Sequence, residues 1–146
     1  GPSTFNWLLH VEGSLLKTSE DTFTVDNGDV TLNIEVVRPE GFKYEIYKDS
    51  GTQAPTLKIF PGEKVDQTIF LVVLHPARAG EAHPTITEIE EDGRLGILIN
   101  FKGEERKILF NFTRPKINDR IFNLAGETEP QNIYNFTRNM PPPGKE

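Results

Sequence analysis

Hydrophobic and polar residues alternate with a period of two along most of the chain. In VTLNIEVV, residues Val30, Leu32, Ile34 and Val36 fall on one side, and Thr31, Asn33 and Glu35 on the other. That is the pattern of a strand with one face in a core and one in water. FKYEIYK sets Phe42, Tyr44 and Ile46 against Lys43, Glu45 and Tyr47. RLGILINF aligns Leu95, Ile97, Ile99 and Phe101, and ERKILFNF aligns Ile108, Phe110 and Phe112. TIFLVVLHP, Thr68–Pro76, is apolar almost throughout and predicts a central strand buried on both faces.

Turn residues stand where these strands must end. Asp26-Asn27-Gly28-Asp29, Pro39-Glu40-Gly41, Pro61-Gly62, Asp92-Gly93 and Lys102-Gly103-Glu104 punctuate the apolar runs. No stretch of ten or more residues carries a 3.6-residue stripe. The reading is an all-β fold, an antiparallel β-sandwich of eight to ten strands over residues 5–113. Residues 1–4 read as a linker, with Gly1-Pro2-Ser3 as a remnant of tag cleavage. Apolar residues thin out after Phe112, so residues 114–138 are expected to wrap irregularly on the sandwich, with a strand at 132–137. A mobile Pro-rich tail is expected over 139–146.

A chain of 146 residues is long enough to build a core without staples, and it contains no cysteine. Thiolate catalysis, cysteine-ligated zinc and disulfides are therefore excluded. The net charge of −6 argues against nucleic acid as a partner. No apolar run approaches the roughly 20 residues that span a bilayer, so no membrane partner is expected.

Trp7-Leu8-Leu9-His10, a short polar stretch, Phe23-Thr24-Val25-Asp26-Asn27-Gly28, and a long alternating strand ending at Pro39 follow one another in order. With the Thr68–Pro76 strand and the Leu95–Phe101 and Arg106–Phe112 pair, this order resembles the β-sandwich region of the heparinase II/III-like polysaccharide lyases. The resemblance covers roughly residues 5–113. In that family the catalytic tyrosine and asparagine lie on a helical toroid. The sandwich histidine and metal ligands lie in a His-x-His-x-Asp-type motif upstream of the Trp-Leu-Leu-His strand. This chain has neither a toroid pattern nor a His-x-His. The resemblance therefore implies a non-catalytic C-terminal module of a bacterial polysaccharide-degrading enzyme, secreted or periplasmic. Its expected partners are an acidic, uronic-acid-containing polysaccharide (alginate-like or glycosaminoglycan-like) and the catalytic domain of the parent protein. The alternatives are a structural buttress for a lyase toroid, and a fragment contributing to a lyase active site.

No constellation for catalysis by this chain alone is legible, and no catalytic residue is assigned. Its three histidines, His10, His75 and His83, show no metal-ligand spacing. His10 and His75, at strand ends, read as structural, and His83 reads as a loop residue. No cofactor is expected. The acidic run Thr87–Asp92 offers oxygens to a structural Ca²⁺, against its plainer reading as a solvated strand edge.

Sugar recognition instead needs aromatic rings for pyranose C–H faces, and Arg or Lys for carboxylates. Tyr47 stands on the polar side of its strand. With Arg38, Lys43 and Lys48 it forms a candidate aromatic-basic surface, against the reading of an ordinary mixed strand face. Arg78 and His83 form a second cationic option. Trp7 is a candidate stacking platform whose competing reading is core.

Overall fold

The computed structural model describes residues 1–112, 124–128 and 132–135, which form antiparallel sheets without a helix. The all-β sandwich-like architecture read from the alternation is what the chain adopts. Ten strands lie in the predicted sandwich span: β1 Trp7–His10, β2 Ser14–Lys17, β3 Thr22–Asp26, β4 Val30–Arg38, β5 Lys43–Lys48, β6 Pro55–Phe60, β7 Leu71–Arg78, β8 Thr85–Glu91, β9 Arg94–Phe101 and β10 Glu104–Phe112. Two more follow, β11 Leu124–Thr128 and β12 Asn132–Asn135. The remainder of the expected wrap over 114–138 and the tail over 139–146 lie outside the described residues.

The chain divides into two compact units, Gly1–His83 and Pro84–Glu146. The boundary falls between β7 and β8, inside the span that the sequence presents as one sandwich. The first unit holds a three-stranded sheet, β1-β6-β5, and a four-stranded sheet, β2-β3-β4-β7. Their facing sides meet in a core of Val11, Leu15, Phe23, Val25, Ile34, Val36, Leu57 and Ile59. Trp7, Leu9, Leu32, Phe42, Phe70 and Val72 pack around it. The alternation in β4 explains this directly, because Ile34 and Val36 point inward while Asn33 and Glu35 point outward. Ser3, in the segment read as linker, pairs its backbone with Val65.

The Thr68–Pro76 run departs from expectation. Its strand begins only at Leu71 and runs at the edge of the four-stranded sheet, paired with β4. Leu74 remains 45% exposed, so burial on both faces is not realised. Pro76 suits this edge position, since its missing N–H would leave a gap in the ladder of a central strand.

The second unit is one sheet in the order β12-β11-β10-β9-β8. Its hairpin turns at Asp92-Gly93 and Lys102-Gly103 have positive φ at both central residues, the two-residue geometry those dipeptides favour. Alternation placed Ile97 correctly, and it is nearly fully buried. It missed Leu109, which lies on the opposite face and is equally buried. Leu109 is directly opposite Gly96, whose missing side chain leaves the space between Leu109 and Ile89.

Candidate functional site

Two outward sheet faces of the first unit gather the polar chemistry. On the three-stranded sheet, directly opposed residues share a face. The register therefore aligns Lys43 with Phe60, Glu45 with Lys58 and Leu8, and Tyr47 with Thr56 and His10. Trp7, Leu9, Tyr44, Leu57 and Ile59 take the other, core-facing side. Lys58 and Glu45 pair across the strands at 3.1 Å, and the Lys58 ammonium lies 5.1 Å from the Phe60 ring centre. At one end of this face Thr56 is fully buried, its hydroxyl sharing a 2.7 Å hydrogen bond with His10 Nδ1. That bond ties the end of β1 to β6, in line with the structural reading of His10. It leaves Tyr47 half-buried beside a satisfied polar pair, and Lys43 exposed at the other end.

The structure brings together only part of the predicted aromatic-basic set. Lys43 and Tyr47 share the face, but Lys48 alternates to the opposite side of β5. Arg38 ends β4 in the other sheet and is ion-paired with Glu40 at 3.4 Å. Trp7 is half-buried and packs against the core, on the side of β1 away from this face. Glu45 shares the face as its alternation predicted, while Lys58 and Phe60 complete it and were missed. Their signal was the alternation of TLKIF, which sets Lys58 and Phe60 opposite the buried Leu57 and Ile59.

The outer face of the four-stranded sheet carries Thr22 and Thr24 from β3, Thr31, Asn33 and Glu35 from β4, and His75 from β7. His83, reached through a turn closed by the Glu81 N–H on the Arg78 carbonyl, folds back onto this face. Its Nε2 lies 3.1 Å from Thr31 Oγ1, and its Nδ1 lies 3.0 Å from His75 Nδ1. The two imidazoles meet edge to face with centres 5.2 Å apart. His83 is thus a half-buried, doubly bonded residue and not a solvated loop side chain. The two histidines thus meet in space although their sequence positions carry no metal-ligand spacing. Eight residues separate them, a spacing without meaning until β7 and its turn return the chain. Arg78 is on the other side of β7, opposite Val30, so it does not join His83. Its backbone N–H donates to Glu81 Oε2 at 3.1 Å.

Glu35 lies on this second face with its carboxyl raised above the ordinary carboxylate range, first by burial and then by the negative charge of Asp21. A carboxyl whose folded pKa exceeds its unfolded value favours the fold below the unfolded pKa, and that contribution disappears as pH rises through the folded pKa. Glu35→Gln is therefore expected to raise the melting temperature slightly at pH 7 and to lose this advantage near pH 4. A pair of melting curves at the two pH values checks the sign.

In the second unit, β8 with its acidic residues runs at the sheet edge, and Glu91 pairs with Lys107 at 2.8 Å. Among the described residues no three His, Asp or Glu side chains converge as a metal-ion group. Comparison of the chain with family models, with curated proteins and with solved structures finds no match in any of the three.

Proposed function

We propose that the chain is a non-catalytic carbohydrate-binding module, and that the outer face of the three-stranded sheet receives an acidic, uronic-acid-containing polysaccharide. One observation carries this reading. Tyr47 and Phe60 share a face with Lys43, Lys58, Glu45 and His10, while the core is completed from the opposite side of the same strands. Aromatic faces suit pyranose C–H surfaces, ammonium groups suit uronate carboxylates, and a strand face suits an extended polymer. The lyase resemblance points to the same ligand class, with a secreted or periplasmic bacterial enzyme as parent and its catalytic domain as partner.

Affinity electrophoresis tests the reading. Migration through gels containing alginate or a glycosaminoglycan is expected to be retarded, and less so as salt screens the lysines. Tyr47→Ala is expected to weaken binding about 3- to 10-fold, the size of one aromatic stacking contact. Lys43→Ala is expected to reduce the salt dependence as well as the affinity. Retardation by no acidic or neutral glycan would overturn the proposal. The buttress reading would then stand, favoured by Val30 and Leu74. Both occupy the core-facing side of β4 and β7, yet they are 48% and 45% exposed.

A further inference from the structure

We propose that His75 and His83 form a binding site for a late first-row divalent metal ion, Cu²⁺ most tightly, on the outer face of the four-stranded sheet. The two Nδ1 atoms are 3.0 Å apart and converge across a strand and the turn that follows it. With metal–nitrogen bonds of about 2.0–2.1 Å, adjacent ligands at a right angle sit about 2.9 Å apart, and tetrahedral ones about 3.4 Å. The observed separation matches neighbouring positions of a tetragonal ion and falls short of the tetrahedral spacing. Imidazole suits copper, nickel and zinc, and affinity rises toward copper along the first-row series.

The partner of the second ring nitrogen supports the assignment. Thr31 Oγ1 stands 3.1 Å from His83 Nε2, close enough to accept an Nε2–H in the tautomer whose Nδ1 lone pair faces His75. A hydrogen bond to the far nitrogen is how ligating histidines are commonly oriented. In the metal-free chain two bare ring nitrogens at this distance would repel, so one proton lies between them, on His75 Nδ1 in the tautomer that lets Thr31 accept from His83. Metal binding moves that proton to His75 Nε2 and puts the ion in its place. Both rings are half-buried, and among the described residues two ligands converge, with water to fill the remaining positions. This site is independent of the glycan face, which lies on the other sheet.

The test is a titration of the intact chain with CuCl₂, followed by calorimetry and by the histidine ring C–H signals in NMR. One equivalent is expected to bind. Paramagnetic broadening should remove the His75 and His83 ring signals first and spare His10, which serves as the internal control. His83→Ala is expected to lower Cu²⁺ affinity at least 10-fold, and Thr31→Val by a smaller factor. Equal broadening of all three histidines, or unchanged affinity in His83→Ala, would overturn the site. Because the broadening is read on the unmodified chain, the result does not depend on any variant folding.

Discussion

Phe23→Ala is expected to destabilise the first unit by about 3–5 kcal/mol, the range for removing a buried phenylalanine. Phe23 in β3 is fully buried and sits opposite Ile34 on β4. Its ring also meets Tyr44 of β5 edge-on at 5.1 Å and Phe42 at 6.3 Å. It therefore fastens one sheet to the other, and its loss leaves a cavity that two rigid sheets can collapse only in part. Urea unfolding should show the midpoint falling with little change in slope. A loss below about 1 kcal/mol would mean that the sheets repack freely around the gap, contrary to the close packing of protein interiors. The change also bears on the proposed glycan face. Tyr44 alternates with Lys43 and Tyr47 along β5, so loosening its inner contact should blur the outer face and weaken glycan retardation.

Gly96→Val is expected to disrupt the sheet of the second unit, at a cost of about 1–3 kcal/mol or more. A Cβ at Gly96 would lie 2.5 Å from the Ile108 carbonyl oxygen, 2.7 Å from Leu109 Cδ2 and 3.1 Å from Ile89 Cγ1. Leu109 can rotate away, but the carbonyl belongs to the ladder that pairs β9 with β10. Backbone must therefore move. Amide hydrogen exchange checks this, with protection expected to fall across β8, β9 and β10. A variant with undiminished protection would show that the strands can separate slightly without losing their pairing. Gly96→Ala should follow the same direction at smaller amplitude.

The two cases mark how far the fold was legible beforehand. Ile34, the partner of Phe23 across β3 and β4, declared itself by alternation, because a side chain two positions along a strand returns to the same face whatever the strand pairs with. Gly96 and Leu109 did not. A glycine in an apolar strand has no pattern of its own, and Leu109 stands at a position that simple alternation assigns to the polar side. Only the register of β9 against β10 reveals that one fills the space left by the other. The apolar Leu71–Leu74 run misled for a related reason. Its composition reports an apolar strand, but the number of neighbours a strand has depends on distant partners.

The candidate surface divides in the same way. Lys43 and Tyr47 share a strand, and their common side followed from the sequence. Arg38 was grouped with them as though its strand lay beside theirs, but β4 and β5 belong to different sheets and Glu40 takes up its charge. Lys58 and Phe60 come from β6, which joins β5 by a register that no local signal encodes. The sequence by itself determined the all-β class, the hairpin turns at Asp92-Gly93 and Lys102-Gly103, and which side of each strand the alternating residues take. These follow from backbone pleat, turn stereochemistry and the removal of apolar area from water, all of which act over a few residues. Tertiary structure alone decided the partition of strands into sheets, the edge position of β7 and the meeting of His75, His83 and Thr31. Those depend on pairing between segments as far as 52 positions apart, where many registers satisfy the same local pattern and only the packed whole selects one.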